Sequence, residues 1–336
     1  MKANYLIEAG RLETKDIEYP ELEDNKVIIK VKSVGLCGSD MHYYEYGKID
    51  KFVVEEPLIL GHEASGEIVE VGNNVEGFKK GDRVTIEPGV PCGECEYCRT
   101  GEYNLCQDMV FMATPPIHGA FQEFILYDPN YIYKIPDNIS YEEAALIEPL
   151  AIGLNIYQKS DFEITDKILI LGSGTVGQMA LQVFKASGAS EVVMTDINKL
   201  PLEIAKKSGA DKVLDSNSLE SLKDNYFDIV IDAVGVQETL FQTTQFVKPG
   251  GNIVLVGMSP ESILKYEIGK ILNKELTIRG IFRYANLYKK GIELIKNEKV
   301  NFEKLITHRY KFEELTEAFD YLSENQDKYL KPMINF

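Results

Sequence analysis

Alternation of apolar and polar residues dominates the first third of the chain. Val27-Ile28-Ile29-Lys30-Val31-Lys32 reads as a strand, and Gly66-Glu67-Ile68-Val69-Glu70-Val71-Gly72 as another with glycine at both ends. In Arg83-Val84-Thr85-Ile86-Glu87, Val84 and Ile86 face one way and the polar residues the other. Turn signals such as Gly72-Asn73-Asn74 and Lys80-Gly81-Asp82 separate these runs, and helical periodicity is weak. A small barrel or sandwich is the expected architecture.

The pattern changes after Ser140, which is placed to cap a helix over Tyr141–Leu146. From Asp166 the chain alternates strand, glycine turn and helix. Lys167-Ile168-Leu169-Ile170-Leu171 is a buried strand, a helix runs through Phe184 and Ala186, and Glu191-Val192-Val193-Met194-Thr195 is the next strand, ending in Asp196. Asn198 is expected to cap a helix through Ala205 that Gly209 terminates. Strands follow at Lys212–Leu214, Asp228–Asp232, Asn252–Val256 and Leu276–Ile278. Six strands is the number in a doubly wound dinucleotide fold. The remainder carries helical segments near Leu287–Asn297 and Phe312–Ser323, with too few strands for a third domain. The expectation is an α/β chain in three parts: a β-rich domain over residues 1–149, a doubly wound parallel sheet over 150–282, and a return segment over 283–336 that completes the first.

Composition narrows the class. A length of 336 residues suits roughly two domains, and 44% hydrophobic with 26% charged residues is ordinary for a soluble globular protein. A net charge of −17 argues against nucleic acid or an anionic membrane as partner, since both require a local excess of Lys and Arg. No apolar run approaches the ~20 residues needed to cross a bilayer, and no long apolar segment follows Met1-Lys2-Ala3-Asn4-Tyr5 as a secretion signal would require. The expected location is the cytoplasm, where disulfides are rare. Five cysteines there read as metal ligands, a nucleophile or core residues.

Four of them cluster as Cys92-Gly93-Glu94-Cys95-Glu96-Tyr97-Cys98, with Cys106 following. Two residues between successive thiols let neighbouring sulfurs converge on one ion, and four thiolates close a tetrahedral zinc shell with no open position. Disulfides and a redox pair are the competing readings; the first fits a cytosolic chain poorly and the second needs two cysteines rather than four. The fifth, Cys37, lies in Gly35-Leu36-Cys37-Gly38-Ser39-Asp40-Met41-His42, and Gly61-His62-Glu63 follows after an apolar run. Alone, Cys37 would more often be a core thiol and His62 a satisfied core histidine. With Glu63, in a chain that also carries a nucleotide motif, they form a candidate catalytic zinc site. Glu148 stands before Pro149 in apolar surroundings, as a surface helix-end carboxylate or as a buried acid with a partner.

Gly172-Ser173-Gly174-Thr175-Val176-Gly177 sits between strand and helix. Its glycines allow a tight turn, approach of a pyrophosphate and close helix packing, with the diphosphate on the free amides of the helix N-terminus. An acid at the end of the second strand bonds the adenosine ribose and repels a 2′-phosphate, so Asp196 predicts NAD rather than NADP.

The order of these pieces resembles the zinc-dependent medium-chain dehydrogenase/reductase superfamily, and most closely its sorbitol (polyol) dehydrogenase branch. The segments that carry the resemblance include Cys37-Gly38-Ser39-Asp40-Met41-His42-Tyr43, Leu60-Gly61-His62-Glu63, Ile86-Glu87-Pro88-Gly89-Val90-Pro91, Ala113-Thr114-Pro115-Pro116, Leu146-Ile147-Glu148-Pro149-Leu150, Phe282-Arg283-Tyr284 and Thr307-His308-Arg309. The resemblance implies a GroES-like catalytic domain interrupted by a Rossmann domain. It implies Cys37, His62 and Glu63 as ligands of a catalytic zinc, with Glu148 close to the metal, directly or through water. Ser39 and His42 fall where a proton is relayed outward, and Tyr43, Phe111, Arg283 and Tyr284 where a polyol is held. A domain interface is the alternative for Arg283 and Tyr284, and a mere lining of the cleft for His42. His118 and His308 are expected to be structural or surface residues.

Together these imply hydride transfer from a secondary hydroxyl of sorbitol, xylitol or a similar alditol to NAD, in a homotetramer with one catalytic and one structural zinc per subunit. Butanediol, threonine or a sugar phosphate is the alternative substrate, although a phosphate would call for more cationic residues than Arg283. A redox-silent nucleotide-binding protein would have no reason to keep the ligand set together.

Overall fold

The computed structural model describes residues 1–259 and 263–336, which form two compact units. The first comprises Met1–Glu148, Tyr288–Asn297 and Ile306–Phe336. Its main sheet has seven strands, in the order Ile132–Lys134, Arg83–Ile86, Glu63–Val71, Val27–Gly35, Lys331–Asn335 and Ile306–Lys311, with Phe124–Tyr127 also pairing with Val27–Gly35. A three-stranded sheet, Arg11–Asp16, Lys2–Glu8 and Leu58–Ile59, adds to it.

The predicted runs from Val27, Gly66 and Arg83 are strands, and two are longer than their alternation suggested. Val27–Gly35 continues past Lys32 because it pairs on both edges and its last three residues, Ser33, Val34 and Gly35, are all buried, where a strict apolar–polar alternation is not required. The core between these strands holds Ile29, Val31, Val34, Ile68, Val84, Ile86 and Phe121, with Phe319 of the helix Leu315–Glu324 closing one side.

Ser140 caps the helix Tyr141–Ala145 as expected. Its hydroxyl accepts from the Glu143 N–H at 3.2 Å, and the Glu143 carboxylate accepts from the Ser140 N–H at 2.9 Å. A second helix, Ile147–Lys159, begins immediately after, with Glu148 in its first turn.

The second unit comprises Pro149–Leu287 and Glu298–Leu305. Its six strands are all parallel, ordered Lys212–Asp215, Glu191–Asp196, Lys167–Leu171, Phe227–Asp232, Val247–Leu255 and Thr277–Gly280. This is the doubly wound order, and the direction of winding reverses at Lys167–Leu171, the strand that leads into the glycine turn. Asn198 occupies the N-cap position of Lys199–Lys207, but its side chain makes no capping bond; its backbone N–H instead donates to Asp196 at 2.9 Å. Residues 283–287 and 298–305 also belong to this unit by their contacts. Asn155 donates to the Arg283 carbonyl at 2.8 Å, and Gln182 accepts from the Asn301 N–H at 2.6 Å.

Candidate active site

Antiparallel pairing brings the first candidate ligands together. Gly35 at the end of Val27–Gly35 lies directly opposite Glu63 at the start of Glu63–Val71. Cys37 follows Gly35 by one turn of chain and becomes the N-cap of the helix Gly38–Tyr46. His62 precedes Glu63 and follows Gly61, whose φ of +86° gives the sharp entry into the strand. One donor atom from each of Cys37, His62 and Glu63 lies within 4.8 Å of the others. Gly35 makes room for this: a Cβ there would lie 2.0 Å from Glu63 Oε2.

Two buried charged residues surround the three donors. The Asp40 carboxylate accepts from the Cys37 N–H at 3.0 Å and the Gly61 N–H at 2.9 Å, and lies 3.7 Å from His62 Nδ1. Burial opposes charging of the His62 imidazole, but Asp40 and Cys37 outweigh it and hold His62 well above the ordinary histidine range. On the other side Lys331 Nζ donates to both oxygens of Glu63, at 2.7 and 2.9 Å. Burial would lower the Lys331 ammonium; Glu63, Cys37 and Glu148 together leave it raised.

Glu148, in the same unit, is 6% exposed, which resolves its two sequence readings in favour of the buried acid. Phe111 packs beside His62, with ring centroids 6.0 Å apart. Ser39 and His42 share one face of Gly38–Tyr46, both half-buried, and the His42 ring packs against Tyr46. Tyr43 is buried on the same helix. Arg283 and Tyr284 lie in the second unit, with Tyr284 buried and the Arg283 guanidinium over the Phe282 ring. His118 is structural, accepting from the Ile59 N–H at 3.3 Å, and His308 stacks on Tyr310.

Cys92, Cys95, Cys98 and Cys106 form the second cluster, with Sγ atoms again within 4.8 Å of one another. Sulfur separations of 3.4 Å (Cys95–Cys98) and 3.8 Å (Cys92–Cys98) are far beyond a disulfide. They match a zinc tetrathiolate, whose ~2.3 Å arms set tetrahedral edges of about 3.8 Å. The Glu94 and Cys95 N–H groups lower Cys92 to about 7, so a thiolate is available at the mouth of the cluster. The lobe is tied to the sheet by Glu87, a buried carboxylate that accepts from Tyr103 at 2.7 Å and from Tyr133 at 2.8 Å.

In the second unit, Gly172 has a φ of +98°, and Gly174 is the N-cap of the helix Thr175–Ser187. A Cβ on Gly177 would meet the Gly172 carbonyl at 2.1 Å, so helix and turn touch backbone to backbone. Val176 and Thr175 complete the first turn. Asp196 accepts from the Ser173 N–H at 2.8 Å, which fixes the acid beside the turn at the end of its strand. Both features fit a dinucleotide: the N-terminus of a helix for the diphosphate, a carboxylate for the ribose.

Sequence reasoning left out Asp40, Glu87 and Lys331. Asp40 was accessible, since an acid three residues after Cys37 is the capping-box spacing. Lys331 carried no local signal.

The donor sets fit zinc at both clusters: thiolate, imidazole and carboxylate at the site with an open position, four thiolates at the closed one. Residues 23–137 match the alcohol dehydrogenase GroES-like domain and residues 175–297 the zinc-binding dehydrogenase domain. The chain is 40% identical to the sorbitol dehydrogenase of Bacillus subtilis over 99% of this chain and 97% of that one. It is 40% identical to a probable D-xylulose reductase A of Aspergillus clavatus, covering 91% and 88%. A solved structure described as a short chain alcohol dehydrogenase from Escherichia coli CFT073, complexed with cofactor NADH, superposes with a TM-score of 0.92 at 29% identity, covering 100% and 99%. The chain belongs to the sorbitol dehydrogenase branch of the zinc-dependent medium-chain dehydrogenase/reductase superfamily.

Proposed function

We propose that this protein oxidises a secondary hydroxyl of an alditol such as sorbitol or xylitol to the ketose, passing hydride to NAD. The observation that carries this reading is the convergence of Cys37, His62 and Glu63 in a chain that also holds the glycine turn with Asp196. When bound, zinc supplies Lewis-acid polarisation of the alcohol oxygen, and NAD supplies the hydride acceptor. The chain's own residues do the rest.

Cys37, His62 and Glu63 would hold the metal, with Glu148 close to it directly or through water and Asp40 fixing the imidazole. Ser39 takes the substrate proton and His42, one turn on, passes it outward. Tyr43, Phe111, Arg283 and Tyr284 hold the polyol, where the planar fork of Arg283 can bond several hydroxyls. Four thiolates from Cys92, Cys95, Cys98 and Cys106 hold the structural zinc. The cytoplasm is the compartment that suits five cysteines outside any disulfide, and a homotetramer is the assembly that the family resemblance implies. No helix among the described residues is long and apolar enough to cross a membrane.

A panel of alditols, 2,3-butanediol, threonine and sugar phosphates, followed by NADH absorbance with and without a chelator, tests the reading. Turnover of sorbitol or xylitol that the chelator abolishes is the expected result. Oxidation of threonine or butanediol with alditols untouched would replace it with the alternative substrate class.

Asp196→Ala should raise the KM for NAD about 10–100-fold, the worth of a hydrogen bond to a charged group, and narrow the preference over NADP. An unchanged ratio of kcat/KM for the two cofactors would show that Asp196 does not read the ribose.

A further inference from the structure

Lys331 is 1% exposed, on the last strand of the chain, and Glu63 beside it is equally buried. The ammonium has three N–H donors, and all three are spent: two on the Glu63 carboxylate, one on the Leu36 carbonyl at 3.0 Å. Leu36 is the residue before Cys37. One cation therefore grips both the carboxylate donor and the peptide that carries the thiol donor. Gly35 works in the same direction, since only its missing side chain lets the carboxylate reach this position. Each Glu63 oxygen retains a lone pair after accepting from Lys331, so the pairing leaves the carboxylate able to ligate.

A salt bridge this deep is weak evidence for stability by itself, because removing two charges from water offsets much of their attraction. Its position gives it another use. The three hydrogen bonds of Lys331 tie the Glu63 carboxylate to the peptide that precedes Cys37, and so hold two of the three donors in place before a metal arrives.

We propose that Lys331 is a positioning residue of the catalytic metal site, holding Glu63 and the Leu36–Cys37 peptide in the ligating arrangement so that the final strand of the chain completes the site. This rests on the assignment of Cys37, His62 and Glu63 as metal ligands. A direct corollary is that metal capture at this site requires Lys331–Asn335 to be docked between Val27–Gly35 and Ile306–Lys311.

The test uses the full-length protein with zinc retained in the four-cysteine cluster and Co2+ titrated into the other site, read by visible absorption. Lys331→Met, close in shape to lysine, should weaken Co2+ binding about 10–100-fold, the usual effect of losing a residue that orients a ligand, and alter the absorption bands. Lys331→Arg keeps the charge and should bind Co2+ more tightly than K331M despite its poorer fit. In a Glu63→Gln background, K331M should cost less than in the wild-type chain, because only the Leu36 contact is left to lose. If K331M alone does not fold, Lys331→Arg against wild type supplies the test, with a changed Co2+ affinity and spectrum expected and unchanged values overturning the proposal.

A folded K331M protein with wild-type affinity and spectrum overturns the proposal. So does K331R binding more weakly than K331M, which would mark a packing role, or K331M weakening the E63Q protein as much as it weakens the wild type. Failure of the wild-type chain to take up any Co2+ beyond the four-cysteine cluster would instead refute the ligand assignment, and the proposal with it.

Discussion

Cys37→Ala is expected to lower kcat/KM for alditol oxidation on the order of a thousandfold, as loss of about 4 kcal/mol of transition-state stabilisation implies. Only the metal-site donors are touched: Cys37 is an N-cap whose N–H and C=O do the structural work, bonding Asp40 at 3.0 Å and the Asp40 and Met41 N–H groups. Alanine keeps both backbone groups, so the helix Gly38–Tyr46 should survive. The glycine turn belongs to the other unit. NADH binding, measured by fluorescence titration, should stay within about twofold of wild type, since no bond to the nucleotide is removed. A C37A protein that retains a tenth or more of wild-type kcat/KM would mean that the thiolate is not part of the reacting centre. Pairing a large loss of turnover with intact nucleotide binding separates a chemical role from general damage.

What could be read from the sequence was what the chain encodes over short distances. The turn Gly172–Gly177 lies between a strand and a helix that are its immediate neighbours, and Cys92, Cys95 and Cys98 meet on a single bend. His62 and Glu63 adjoin each other, and Gly35 pairs with Glu63 across one antiparallel ladder. Lys331 is the opposite case. Its partner Glu63 is 268 positions away, and a lysine in Leu330-Lys331-Pro332-Met333 reads as a solvated side chain on an alternating strand. It is buried because Lys331–Asn335 is an interior strand of the seven-stranded sheet, covered on both faces, and no periodicity in five residues announces that. Glu148 shows the intermediate situation: its apolar neighbours raised the prospect of burial, but the partner that makes burial tolerable comes from other segments. The segment 298–305 was likewise opaque, because its attachment to the second unit runs through Asn301 to Gln182 and Lys304 to the Lys207 carbonyl rather than through any strand.

Cys95→Ser should remove one metal per subunit and lower the unfolding temperature by about 4 °C, through a loss of roughly 3 kcal/mol in a chain of 336 residues. Isolated zinc modules derive ~10–16 kcal/mol from the metal at neutral pH, but only part of that reaches the global fold when a lobe can loosen by itself. Here the lobe has its own attachment. Tyr103, between Cys98 and Cys106, donates to Glu87 at the end of the strand Arg83–Ile86, and Tyr133 donates to the same carboxylate. None of Cys95, Cys98 or Cys106 lies on a strand of the seven-stranded sheet, so the sheet and the Cys37 site can persist while residues 92–106 fray. Protease cleavage should therefore appear first within that segment. Activity at low temperature should fall far less than in C37A, and this contrast distinguishes a staple from a reacting centre. An unfolding temperature within about 1 °C of wild type, less than a loss of about 1 kcal/mol would produce in this chain, together with two metals per subunit by elemental analysis, would show that Cys95 is not a ligand; a loss of activity as deep as that of C37A with the sheet intact would instead place the four-cysteine lobe in the chemistry itself.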